Sequence, residues 1–319
     1  SPSYAATVTS TPAPATEQEW RQRALAAGAR TTVDADARYA RNVELARDRA
    51  STRFTRFDGN LSAHAQDMPD LADGVRAHSP TSLESWASCP HAYFVRRVLR
   101  VEPVEDPDSV LEITPAERGN LMHAALDEFF STLPDGAPAG TTPWADEQRA
   151  LLQEIGGRCA DDAEALGVTG HPTLWARSRA EILNHLDLLL TQDDEVRAAS
   201  GRQQIHAELR FGRETSAVEV PLPDGRTILM QGSVDRIDTA PTGLAVVDYK
   251  SGGATKFLDI ERSGDPFVHG TKLQLPVYGY AARAERGLPA SPVRAEYWFI
   301  GRRDRGRRIG YEITTEIED

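Results

Sequence analysis

Two β-rich stretches separated by one turn constrain this chain more than any other feature: Gly232-Ser233-Val234-Asp235-Arg236-Ile237-Asp238 and Val246-Val247-Asp248-Tyr249-Lys250. Residues two apart on a strand share a face, so Asp248 and Lys250 point the same way. Pro241-Thr242-Gly243 between the stretches makes them neighbouring strands, which can bring Asp235 alongside. Two converging carboxylates form a hard-oxygen site suited to Mg²⁺ or Mn²⁺. A lysine beside such a metal can hold or polarise an attacking water and offset charge on a transferring phosphate. An Asp-x-Lys on a strand is by itself most often a solvated face. Here Val246 and Val247 mark the strand as buried, and a charged pair on a buried strand needs a partner or a purpose.

The rest of the chain sets these strands in an α+β architecture. Residues 17–53 have helical spacing, with Trp20, Val43 and Leu45 on it. Residues 54–80 are irregular, broken by Asp58-Gly59, Pro69 and Pro80. From Ser79 to Leu99 the spacing predicts a helix capped by Ser82 or Thr81, with Leu83, Trp86, Phe94 and Val98 as its apolar face; Cys89-Pro90 also allows two short helices. Helical patterning returns from about Pro143 to Ser200. Near Gln204 the texture becomes β-rich. Strands are expected over 205–211, 217–222, 226–238 and 244–250, then a helix over 272–286 and a final strand over 293–300. The expected fold is therefore a sheet meander, a helix and a strand behind a large helical lobe.

Thr114-Pro115-Ala116-Glu117 is a strong helix start, with Thr114 as cap, Pro115 where its missing N–H costs nothing, and Glu117 completing a capping box. The helix runs to Pro134-Asp135-Gly136 and carries His123. Gly119, one turn earlier on the same face, leaves room for the imidazole. A lone helical histidine is more often structural than a metal ligand. Gln274 and Tyr278 share a face of the late helix, where an amide and a phenol can orient a phosphate or a water; alone they read as a helix surface.

A net charge of −12 is awkward for a protein that handles nucleic acid, because phosphate contacts need a basic footprint. Local patches are available at Arg96, Arg97 and Arg100, and at Arg302, Arg303, Arg305, Arg307 and Arg308. No apolar run approaches the ~20 residues of a membrane helix. Residues 1–16 lack the basic and apolar regions of a signal peptide and read as a loose tail. The two cysteines, Cys89 and Cys159, make no disulfide framework and fit a reducing cytoplasm.

The ordered set Gly119-Asn120-Leu121-Met122-His123, Gly232 to Asp238, Val247-Asp248-Tyr249-Lys250-Ser251-Gly252 and Gln274-Leu275-Pro276-Val277-Tyr278 resembles the PD-(D/E)xK nuclease domain of the RecB/AddB type. The resemblance implies a restriction-endonuclease-like core over residues 79–319. Residues 79–203 form its helical part with the histidine, 204–319 its sheet, and residues 1–78 are a tail and helical segment ahead of it. It implies that His123, Asp235, Asp248 and the carbonyl of Tyr249 bind Mg²⁺ or Mn²⁺. Lys250 is then catalytic, and Gln274 and Tyr278 belong to the last motif helix. Glu208 resembles the family's accessory acidic position.

The segment from Ser79 to Phe94, and Phe54-Thr55-Arg56-Phe57-Asp58-Gly59 before it, resemble the entry to this domain in AddB-like and actinobacterial helicase–nuclease chains. There the residue matching Cys89 often begins a four-cysteine iron–sulfur site. No cysteine follows Cys159, so no cluster is expected in this chain, although a longer parent can carry one. Cys89 is then expected to be a buried free cysteine. The end at Asp319 and the lack of a Walker-type loop favour an excised domain. The implied function is a DNA exonuclease module working with a helicase region or partner subunit on double-strand breaks. The alternatives are a stand-alone RecB-like nuclease of the CRISPR-adaptation type, or an inactive fold that only grips DNA or a partner.

Overall fold

The computed structural model describes residues 6–7, 10, 12–26, 37–102, 111–133, 136–212, 215–301 and 303–314. The chain forms two compact units, residues 1–69 and 70–319. In the first, α1 (Glu17–Ala26) and α2 (Ala37–Arg49) are followed by a helical turn at Arg56–Asp58. Thr55 and Asp58 close that turn as a reciprocal capping box, and Gly59 leaves it at φ 89°, a conformation that favours glycine.

The second unit holds α3 (Pro80–Ser88), α4 (Pro115–Thr132), α5 (Asp146–Ala165), α6 (Pro172–Ser200) and α7 (Gln274–Arg286). Its strands are β1 (Ala77–His78), β2 (Gln203–Phe211), β3 (Val218–Pro221), β4 (Thr227–Met230), β5 (Gly232–Ala240), β6 (Gly243–Lys250), β7 (Val293–Phe299) and β8 (Arg308–Ile313). They form a small sheet in the order β1-β4-β3 and a large sheet in the order β2-β5-β6-β7-β8. Only β6 and β7 pair in parallel within the large sheet, and α7 lies in the crossover between them. The fold is the expected α+β class, a mixed sheet with a helical lobe.

The period of two along β6 sorts its side chains into two cores. Val247 and Tyr249 pack with Phe129, Leu152 and Leu186 of the helical lobe. Val246 packs on the other face with Val277 and Ala281 of α7. Both valines are fully buried, each contributing about 1.5–3 kcal/mol of apolar transfer free energy. Asp248 and Lys250 therefore fall on the α7 side, and α4 is held in the lobe behind the sheet.

Several expectations are corrected. The run from Arg226 to Asp238 is two strands in two sheets, broken at Gln231, whose N–H donates to His78 O at 2.9 Å. Ala77 and His78, expected to be irregular, pair in parallel with β4. A further strand, β8, follows the strand expected to be last and pairs antiparallel with β7. Ser79, not Ser82 or Thr81, caps α3, because Pro80 takes the first helical position. Trp86, expected on a buried face, is 52% exposed. Cys89, expected to be buried, is exposed, and its Sγ accepts the Ala92 N–H at the start of the short helix Pro90–Tyr93. The expected stop at Pro134-Asp135 and the residue Arg302 lie outside the described residues.

Candidate active site

The site is built where β5 leaves β6. Their ladder runs from Ala240↔Gly243 to Arg236↔Val247, and Asp235 is the first residue beyond it. Its carboxylate replaces the lost backbone partner, Oδ2 accepting from the Tyr249 N–H at 2.7 Å. From the lobe, α4 supplies His123. That helix is capped by Thr114 as expected, its Oγ1 accepting the Glu117 N–H at 3.2 Å with Pro115 in the first turn. The expected capping box is not formed, since no return bond from the Glu117 carboxylate is present among the described residues. His123 Nδ1 lies 3.3 Å from Asp235 Oδ1. Gly119 serves α4 in a different way from that expected. A Cβ there would come 3.2 Å from Ser251 Oγ, so the glycine admits the loop after β6 and not the imidazole.

On the α7 face, Lys250 Nζ pairs with Asp248 and donates to Gln274 Oε1 at 3.2 Å. Gln274 Nε2 in turn donates to Tyr278 OH at 3.3 Å. The Tyr297 ring lies 5.1 Å from the ammonium, a cation–π contact. The start of α7 is fastened by Glu84 of α3, whose Oε1 accepts the N–H groups of Leu273 (2.6 Å) and Gln274 (3.1 Å). Glu84 carried no sequence signal, since a glutamate on a helix reads as solvated until its partner stretch of backbone is known.

Tyr249 contributes its main chain here and its ring elsewhere. The ring packs at a tilt against Trp298 in the helical core with centroids 6.0 Å apart, and its OH lies 3.4 Å from Arg236 Nη1. Glu208 meets the site through Ser233, whose Oγ donates to Glu208 Oε1 at 2.7 Å. Glu208 has φ 46°, a left-handed conformation that costs a non-glycine residue about 1–3 kcal/mol.

Charge in this fork is crowded. Burial pushes the Asp248 carboxyl up to about 6; Lys250 opposes the shift and the Asp235 charge adds to it. Burial disfavours charged His123, but the hydrogen bond and charge of Asp235, with the Asp248 charge, outweigh it and hold the imidazole above its ordinary value. Burial also raises Glu208, with Ser233 opposing and Asp235 and Asp127 adding. Asp248 Oδ2 is buried and makes no aligned hydrogen bond, although Lys250 lies against it. Among the described residues, no three His, Cys, Asp or Glu side chains form a ready metal cage. His123 and Asp235 are engaged with each other, and Asp248 with Lys250.

A buried network behind the fork was missed by sequence reading. Arg236, next to Asp235, is fully buried and bonds Asp238 and Asp193 of α6, both at 2.6 Å. Asp193 also accepts from Arg197 Nε and Trp144 Nε1, each at 2.8 Å. The strand bearing Asp235 is thereby tied to the helical lobe by charge-assisted bonds. The spacing of Asp193 and Arg197, one helical turn apart, was the available clue.

The chain is similar to a subunit of the ATP-dependent helicase/deoxyribonuclease of Clostridium perfringens, 24% identical over 243 residues, 72% of this chain and 20% of that one. The corresponding subunit from Desulforudis audaxviator is 27% identical over 246 residues, 73% of this chain and 20% of that one. The one from Symbiobacterium thermophilum is 31% identical over 225 residues, 67% of this chain and 18% of that one. The chain thus spans about a fifth of the length of these relatives. Residues 77–318, which hold the fork, α4 and α7 together, match the model of the PD-(D/E)XK nuclease superfamily, and the chain belongs to that superfamily.

Proposed function

We propose that residues 79–319 form a divalent-metal-dependent DNA nuclease, the exonuclease module of a cytoplasmic helicase–nuclease that processes double-strand breaks. The observation that carries this reading is the meeting of Asp235, Asp248, Lys250 and His123 at the point where β5 parts from β6. The names of the relatives favour DNA as substrate and a helicase as partner. Among the described residues, no helix is long and apolar enough to cross a membrane.

The donor set suits a hard cation: two carboxylates, one of them with a buried oxygen free of aligned hydrogen bonds, and one imidazole. His123, Asp235, Asp248 and the Tyr249 carbonyl would hold Mg²⁺ or Mn²⁺, which supplies Lewis acidity toward the phosphodiester and its attacking water. Lys250 orients the nucleophilic water and offsets negative charge gathering on the phosphate. Gln274 fixes the ammonium by accepting one of its protons, and Tyr278 fixes the Gln274 amide. The direct test is cleavage of labelled single- and double-stranded DNA with Mg²⁺, with Mn²⁺ and with chelator. Cleavage is expected only with metal, and undiminished cleavage in chelator would sink the proposal.

The imidazole sets a preference between metals. Mg²⁺ favours oxygen ligands, whereas Mn²⁺ accepts nitrogen more readily. By calorimetry, Mn²⁺ is expected to bind more tightly than Mg²⁺. His123→Ala is expected to weaken Mn²⁺ by roughly 10-fold or more and Mg²⁺ less. Protonated imidazole binds no metal, and Asp235 holds the proton of His123 more firmly than that of a free imidazole, so Mn²⁺ affinity should fall as pH drops, starting at a higher pH than the ordinary ~6.5 of an imidazole would give. Equal affinities in wild type and His123→Ala would remove the histidine from the site.

A further inference from the structure

Only three of the 36 basic residues are lysine, and they are Lys250, Lys256 and Lys272. A chain that otherwise uses arginine places all three beside one pair of aromatic rings. Lys250 Nζ lies 5.1 Å from the Tyr297 ring, the Tyr297 and Phe257 centroids are 4.6 Å apart, and Lys272 Nζ lies 4.7 Å from the Phe257 ring. Lys256 precedes Phe257 in the helical turn Ala254–Phe257. The backbone under both outer lysines is fastened. Asp304 Oδ2 accepts the Ala254 N–H at 2.7 Å, and the Lys272 N–H donates to Phe267 O at 3.0 Å. Glu84 holds the next two N–H groups, those of Leu273 and Gln274.

Three ammonium groups gathered in this way repel one another, and nearby acids do little to offset the outer two. Among the described residues, neither Lys256 nor Lys272 makes a side-chain hydrogen bond or ion pair. Glu84 is the acid that acts on Lys272, and its Oε1 is already taken by the backbone. Asp259 follows Lys256 by about one turn without pairing with it, and Glu261 faces Arg307 at 3.4 Å. Lys272 is half-buried, and its ammonium is held below its ordinary value. Burial disfavours the charge, Glu84 opposes that, and Lys250 and Lys256 add to it. Positive charge kept half-buried and unpaired is costly until an anion completes it. Lysine suits a phosphate here better than arginine would. A guanidinium fork clamps a carboxylate through two parallel bonds, whereas an ammonium is a compact point charge that leaves carboxylates free and still meets a phosphate oxygen.

We propose that Lys256 and Lys272 hold backbone phosphates of the DNA strand next to the phosphodiester at Lys250, on the α7 side of the carboxylate fork. This rests on the nuclease reading and adds where the strand runs: from Lys250 past Phe257 to the start of α7. Phosphate contacts position a strand without reading its sequence, so this lysine edge is indifferent to base.

The test is fluorescence anisotropy of a labelled oligothymidylate with the whole chain in chelator, across a salt series. Lys256→Gln alters an exposed residue, and Lys272→Met keeps an unbranched side chain against Phe257 while removing the charge. Melting by circular dichroism checks that each variant folds. Each is expected to flatten the slope of log K against log salt by about 0.7 and to weaken binding about 5-fold near ~0.1 M salt, the loss of one single-strand phosphate contact. Arg226→Gln, whose guanidinium is paired with Asp224 in the hairpin between β3 and β4, is expected to leave slope and affinity unchanged. Binding by wild type with Lys256→Gln and Lys272→Met indistinguishable from Arg226→Gln would overturn the lysine edge and leave the nuclease reading standing. Wild-type chain that binds no oligothymidylate at any salt would overturn both.

Discussion

Asp248→Asn is expected to abolish DNA cleavage and, at neutral pH, to make the protein more stable. The loss of activity should be about 10²–10³-fold or more, the scale for removing one positioned charge-stabilising group. The gain in stability follows from burial. An unfolded aspartate ionises near ~3.9, whereas this one titrates at about 6. Between those values the folded state holds a proton that the unfolded state has released, so stability falls as pH rises through the interval. Above it the full penalty, about 3 kcal/mol at most, is present in wild type and absent from the asparagine variant. The variant should therefore melt higher at neutral pH, with the difference shrinking toward pH ~4 and closing below it, where the wild-type carboxyl is protonated in both states. A variant that is inactive but less stable at neutral pH would place Asp248 among groups that hold the fold together.

Arg236→Leu is expected to have the largest effect on stability of any single change near the site. The substitution removes a fully buried guanidinium and leaves two buried carboxylates. Asp193 keeps Arg197 and Trp144, but Asp238 loses its bonded partner, and its Oδ2 is already without one. Burial already holds the Asp238 carboxyl above its usual range, and Arg236 is the first force opposing that shift. Breaking a buried pair from one side costs about 3–5 kcal/mol. Urea denaturation should show a loss of that size, with much of it recovered in the double variant Arg236→Leu, Asp238→Leu, which buries no uncompensated charge. A single-variant loss below ~1 kcal/mol would show that the network is not what ties β5 to the lobe.

What was legible in the sequence was local. The Thr114-Pro115 helix start, the period of two on β6 and the one-turn spacing of Gln274 and Tyr278 each depend on neighbours a few residues away. The grouping of His123 with Asp235, Asp248 and Lys250 came instead from the resemblance of the ordered motifs to the PD-(D/E)xK nuclease domain. What was not legible depends on partners distant in sequence. Glu84 caps a helix start some 190 residues later. The stretch from Arg226 to Asp238 reads locally as one β-rich run, yet it changes sheets at Gln231, where its partner is His78 far back in the chain. Arg236 and Asp238 share a strand with Asp235, and nothing local separates the buried structural charges from the carboxylate at the fork. The arginines before β8 read as one solvated run, yet Arg307 and Arg308 meet acids and Arg305 meets His185.

The most direct measurement of the account is single-turnover cleavage of labelled single-stranded DNA by Lys250→Ala beside wild type, with Mn²⁺ saturating and DNA binding followed in parallel. Lys250 lies against Asp248, is held by Gln274 and takes no part in either core. Its loss should lower the cleavage rate by about 10²-fold or more while DNA and Mn²⁺ binding and the melting temperature stay near wild type. Cleavage by Lys250→Ala at the wild-type rate would contradict the assignment of this fork as the catalytic site.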